Sequence, residues 1–194
     1  MVASKNNFIT IVSGLPRSGT SMMMQMLEAG GLPALTDSIR AADSDNPHGY
    51  HEFERVKQLK KDSSWLLDAY GKAVKMVYLH LYNLPKGHEY RVIFMRRHLN
   101  EVIASQRVML ERLGKPADFS AETALTNKFK EQLQKVDVWI RSQTNLKVLY
   151  LDYREVLDAS CKAVTKLDEF LDSALDRDSM IKAIDRSLYR QREL

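Results

Sequence analysis

The sequence predicts an α/β fold, a three-layer sandwich with a mostly parallel central sheet flanked by helices. Three observations carry that expectation. Short apolar runs rich in β-branched residues recur along the chain, separated by segments of helical periodicity. These runs are apolar on nearly every residue, as strands are when helices cover both faces of a parallel sheet. The length of 194 residues, with 44% hydrophobic and 28% charged side chains, suits a single domain over residues 1–194, and no repeat or linker interrupts it.

Residues 8–13 (FITIVS) are the first expected strand, stopped by Gly14-Leu15-Pro16. A helix over 18–29 ends at Gly30-Gly31. Residues 32–50, with Pro33, Asp37, Asp43, Asp45, Asn46, Pro47 and Gly49, read as loop with a short strand near 34–35. A helix is expected over 52–68, strands over 73–78 and 91–95, and a helix over 100–113 closed by Gly114. The longest helix is expected over 120–142 with Ser120 as its N-cap. A buried strand over 147–151, an amphipathic helix over 155–171 and a short helix over 178–185 complete the order.

Composition narrows the function. Lys plus Arg number 29 against 25 for Asp plus Glu, a net charge of +4 that permits an anionic ligand. The signs are interleaved, and no basic block or basic-aromatic repeat points to nucleic acid. No apolar run approaches the roughly 20 residues of a membrane span. Residues 1–8 lack the apolar core of a secretion signal, so a cytoplasmic location is expected. The single cysteine, Cys161, cannot form an internal disulfide and is expected as a small buried side chain on a helix. The five His are scattered, with only His48 and His51 close together, so no metal is expected.

In such sheets ligands bind beyond the carboxyl ends of the strands. After the first strand comes Gly14-Leu15-Pro16-Arg17-Ser18-Gly19-Thr20-Ser21, which opens a helix. The spacing is that of the phosphate-binding P-loop, G-x-x-x-x-G-K-[ST], with Thr20 in the Lys position. Without that Lys, triphosphate chemistry loses its main cation, while Arg17 supplies a planar cationic fork inside the loop. A second candidate anion site follows the strand over 91–95. Arg97 stands at the strand's carboxyl end and Ser105 lies in the next helix, some 9 Å further along its axis, a span that a phosphate and an extended Arg can bridge.

The loop resembles the 5′-phosphosulfate loop of sulfotransferases, a strand followed by G-x-[PR]-[RK]-S-G-T-[ST]. These are enzymes of P-loop-type fold that use 3′-phosphoadenosine 5′-phosphosulfate. The resemblance implies that Pro16, Arg17, Ser18, Gly19, Thr20 and Ser21 hold the 5′-phosphosulfate, with Arg17 also stabilising the leaving phosphate. Arg97 and Ser105 match the family's 3′-phosphate pair, R-[DN]-P-x-[DE]-x-x-x-S, with His98 and Leu99 in place of the usual acidic residue and Pro. Tyr153, in VLYLDYREVL, aligns with the aromatic residue near the adenine, and Arg190 or Arg192 corresponds to a late basic segment used on the 3′-phosphate.

The resemblance also implies a sulfuryl transfer to a small-molecule acceptor, a hydroxyl or an amine. Lys75 stands on the strand that carries a Lys near the transferred group in many relatives. The base that takes the acceptor's proton is expected to be Glu52, in the segment NPHGYHE, with His51, Asp37, Glu54 and His80 as alternatives. Two other readings fit parts of the pattern. One is a nucleotide or small-molecule kinase in which Asp152 ends a Walker B strand and binds Mg²⁺. The other is a non-catalytic nucleotide-binding homologue. Neither acceptor identity nor oligomeric state is written in the chain.

Overall fold

In the computed structural model of the chain, residues 7–37, 39, 43, 46–47, 49–112, 114, 122–172 and 175–191 are described. Ser120, His48 and Arg192 lie outside them. Four strands form one sheet: β1 (Phe8–Gly14), β2 (Ala73–Val77), β3 (Glu89–Arg96) and β4 (Leu146–Asp152). Their order is β2-β1-β3-β4 and every pairing is parallel. The expected α/β architecture is therefore the observed one, with strand positions within a few residues of those read from the sequence.

Alternation along each strand builds two cores. Ile9 and Ile11 of β1 and Val92 and Phe94 of β3 face one side, with α2 (Leu99–Arg112), α3 (Glu122–Arg141) and the 3-10 turns Glu54–Gln58, Ser64–Ala69 and Tyr78–Asn83. Val12, Ile93 and Met95 face the other, with α1 (Thr20–Ala29), α4 (Tyr153–Asp158), α5 (Ser160–Leu171) and α6 (Arg177–Lys182). Each fully buried Ile, Leu, Met or Phe contributes about 1.5–3 kcal/mol. Three of the four Met of α1 are such residues: Met23, Met24 and Met26.

Several expectations need correction. The helix expected over 52–68 is two 3-10 turns. The Asp62 carboxylate accepts from the Ser64 N–H and hydroxyl at 3.0 and 2.7 Å, a local turn that competes with helix continuation. The helix expected over 155–171 breaks at Ala159 and starts earlier, at Tyr153, where Asp152 caps the N–H groups of Arg154 and Glu155. The short strand near 34–35 is a single parallel bridge between Ala34 and Ala73. Strand β4 lies at the sheet edge, so Val148, Leu149 and Tyr150 are only half-buried. Cys161 is exposed on α5, because Ala163, Val164 and Leu167 form that helix's inner face. No helix among the described residues is long and apolar enough to cross a membrane.

The sheet register sets the site. Gly14 of β1 pairs with Val77 of β2 and Met95 of β3, and Arg96 pairs with Asp152. The carboxyl ends of the strands therefore lie along one edge of the sheet. Strand order reverses between β1 and β3, and α1 and α2, which follow them, cover opposite faces. That divergence opens the crevice where ligands bind in open parallel sheets.

Candidate active site

A cavity of about 450 Å³ fills this crevice, within the range of small-molecule sites. Its walls include Pro16, Arg17, Gly19, Thr20, Ser21, Glu52, Lys75, Arg97, Ser105, Tyr153 and Arg190. Eleven of the twelve residues expected from the sequence thus share one cavity. The exception is Ser18, whose side chain is buried and does not line it. Among the described residues six cationic side chains line the cavity (Arg17, Lys57, Lys75, Arg97, Arg112 and Arg190) against two carboxylates, Glu52 and Asp185. Such a donor set suits a polyanion.

The loop's backbone is built for close approach. Gly19, the N-cap of α1, has φ 97°, and a Cβ there would lie 2.4 Å from Cδ2 of Tyr153. Among the described residues no side chain caps α1, and the first N–H groups of a helix have no partner within it, so they are available to an anion at that end. Arg17 is itself left-handed at φ 72°, a rare conformation outside glycine. From there its Nε donates to Ser105 Oγ at 2.9 Å. Arg97 reaches back to the same loop, its Nη1 donating to the Arg17 carbonyl at 3.2 Å.

Arg97 is nearly buried and lies over two rings, 4.7 Å from the Tyr153 centroid and 5.3 Å from that of Tyr189. Burial raises the pKa of Tyr153, so its phenol stays neutral. Lys75, on the edge strand β2, donates to Ser21 Oγ at 3.0 Å and to the Tyr50 carbonyl at 2.6 Å. It therefore ties the phosphate loop to the segment leading into Glu52.

Among the base candidates only Glu52 lines the cavity. Its carbonyl accepts from Thr36 Oγ1 at 2.8 Å and from the Asp37 N–H at 3.3 Å, which fixes the backbone beneath the carboxylate. His51, with φ 51°, turns its Nε2 to Glu28 Oε2 at 3.1 Å. The Asp37 carboxylate accepts from the backbone N–H groups of Ile39 and Glu54, at 3.1 and 2.6 Å. His80 sits in the Tyr78–Asn83 turn, where burial lowers its pKa. Asp152 accepts the N–H groups of Arg154 and Glu155 as the cap of α4.

Several residues of the site escaped the sequence reading: Lys57, Arg112 and Asp185 in the cavity wall, and Glu101 and Tyr189 behind it. Glu101 is buried and holds Arg97 at 2.9 Å. Its signal was present, because Glu101 stands at the [DE] position of the R-[DN]-P-x-[DE]-x-x-x-S pattern that Arg97 and Ser105 match. Tyr189 had no local signal, since its hydrogen bonds to Arg154 and Glu101 span 35 and 88 positions.

The parallel sheet, the glycine loop at the strand-to-helix turn and the crevice beyond it define a P-loop-type α/β protein. The chain belongs to the sulfotransferase domain family, whose pattern it matches over residues 9–192. Among solved structures it resembles the sulfotransferase domain of the Synechococcus PCC 7002 olefin synthase, at 14% identity and a TM-score of 0.59, with 98% of this chain and 82% of that one covered. It also resembles the mouse sulfotransferase SULT7A1 complexed with PAP, at 16% identity and a TM-score of 0.52 over 93% of this chain and 63% of that one. A third is the sulfotransferase domain from the curacin biosynthetic pathway, at 15% identity and a TM-score of 0.52 over 94% and 79%. At these identities the likeness is one of fold. No curated protein sequence matches significantly.

Proposed function

We propose that this chain transfers a sulfuryl group from 3′-phosphoadenosine 5′-phosphosulfate to a hydroxyl or amine of a small-molecule acceptor. The observation that carries the reading is the shared cavity. The loop 14–21 and the Arg97–Ser105 pair wall one space, and Arg17 is hydrogen-bonded to Ser105 across it. A nucleotide phosphorylated at both ends needs two cationic sites that face each other. The PAP bound to the mouse sulfotransferase supports the same donor.

In this reading the N–H groups at the start of α1, with Thr20 and Ser21, hold the 5′-phosphosulfate. Arg97 and Ser105 hold the 3′-phosphate, with Arg190 at the rim. The Tyr153 ring packs near the adenine. Transfer breaks the bond between sulfur and the bridging phosphate oxygen and forms one from sulfur to the acceptor. Arg17 and Lys75 stabilise the charge left on the phosphate. Glu52 takes the acceptor's proton. The single cysteine, which cannot form an internal disulfide, supports a reducing, cytoplasmic setting.

The test is calorimetric titration with 3′-phosphoadenosine 5′-phosphate, followed by turnover of the phosphosulfate over a panel of alcohols, phenols, sugars and amines. Binding is expected in the micromolar range. No binding at millimolar concentration overturns the reading. Binding without turnover on any acceptor favours a non-catalytic homologue.

A further inference from the structure

Glu101 stands in the first turn of α2, and its side chain is 1% exposed. A carboxylate so far removed from water needs compensating partners, and among the described residues they include three side chains. Oε2 accepts from Arg97 Nε at 2.9 Å. Oε1 accepts from the Tyr189 hydroxyl at 2.6 Å and from Arg154 Nη2 at 3.1 Å. Arg154 Nε also donates to the Tyr189 oxygen at 2.7 Å, which closes a triangle.

The triangle joins segments that are remote in sequence. Arg97 donates through Nη1 to the Arg17 carbonyl and through Nη2 to the Gln191 carbonyl at 2.7 Å. The Tyr189 ring meets Tyr153 edge-on with centroids 5.3 Å apart. One carboxylate thereby links the phosphate loop, α2, the start of α4 and residues 185–191. Asp185, Leu188, Arg190 and Gln191 of that last segment line the cavity.

We propose that Glu101 is a positioning residue. It sets the orientation of Arg97 and, through Tyr189 and Arg154, holds residues 185–191 against the nucleotide end of the cavity, so the two are one linked state. This rests on reading the cavity as a site for a nucleotide with two phosphates. Among the described residues two guanidinium groups face this carboxylate, a positive surplus that still attracts a phosphate. Charge alone and positioning then predict opposite outcomes. Removing a negative charge beside a phosphate should tighten binding, whereas losing the orientation of Arg97 should weaken it.

The variants are Glu101→Gln and Tyr189→Phe. In the ligand-free protein, hydrogen exchange across residues 185–191 should quicken by about tenfold in both, while the central strands keep their protection. Unchanged exchange in this segment overturns the proposal. Should Glu101→Gln exchange rapidly throughout, Tyr189→Phe, which removes one oxygen atom, carries the test. By calorimetry, the preference for 3′-phosphoadenosine 5′-phosphate over adenosine 5′-phosphate should fall by about tenfold in Glu101→Gln, the worth of a lost charge-assisted hydrogen bond. A loss shared equally by the two nucleotides, or a tighter hold on the bisphosphate, also overturns it. If the unaltered protein binds neither nucleotide, the proposed function fails, and the exchange measurement alone decides the role of Glu101.

Discussion

Arg17 Nε donates to Ser105 Oγ across 2.9 Å, joining the loop after β1 to α2 over 88 positions of sequence. The two anion sites proposed from separate motifs are thereby in direct contact. The left-handed backbone at Arg17 makes this reach specific to the loop's conformation. In the proposed reading a group held there touches both ends of the nucleotide.

Arg17→Lys keeps the charge and loses the planar fork. In the proposed reaction Arg17 faces the charge that develops on the leaving phosphate, so single-turnover rates with the phosphosulfate should fall by about 100-fold. A rate within a few-fold of the parent would remove Arg17 from the chemical step.

Arg97→Ala should weaken 3′-phosphoadenosine 5′-phosphate by about 10- to 100-fold while changing adenosine 5′-phosphate little, since only the former carries a phosphate for this Arg. It also takes from Glu101 the partner of its Oε2, while Arg154 and Tyr189 stay on Oε1. Disrupting a buried ion pair costs about 3–5 kcal/mol, so the melting temperature should drop as well. Equal losses for the two nucleotides would count against the 3′-phosphate assignment.

Glu52→Gln removes the proposed base and keeps its size. Turnover should fall by about 10²- to 10⁴-fold, with nucleotide affinity unchanged in titrations. Full activity would transfer the proton-accepting role elsewhere.

Gly19→Ala forces a side chain onto a φ of 97° and to 2.4 Å from Tyr153. Overpacking and backbone strain together should cost about 1–3 kcal/mol, read as a lower urea midpoint. The displaced Tyr153 should also weaken nucleotide binding. An unchanged midpoint would show that the ring yields freely.

Burial lowers the pKa of His80 below its ordinary 6.5. The unfolded chain then binds a proton at higher pH than the folded one, so the His80 contribution to stability is intact above about pH 6.5 and is lost as pH falls through and below that value. His80→Gln should flatten the melting-temperature decline between roughly pH 7.5 and 5.5. Identical slopes in both proteins would assign the acid sensitivity to other groups.

The four strands were legible because sheet burial on both faces leaves a run such as FITIVS with no other stable place. The loop and its neighbours were legible because residues after the strands converge on one sheet edge whatever the connections do. Side-chain competition was harder to read. Asp62 and Ser64 look like tolerable interior residues of a helix, yet their mutual hydrogen bonds end one turn before the next begins. The break at Ala159 has no local cause, since alanine is the strongest helix former. Tyr189 joined the site only through folding, because no spacing rule connects it to Glu101.

Cys161 is the chain's only cysteine and is exposed on α5. A maleimide dye would therefore couple at one known position in the native protein. That handle comes without engineering, and a fluorescence reporter attached there could follow nucleotide titrations while every cavity residue keeps its natural identity.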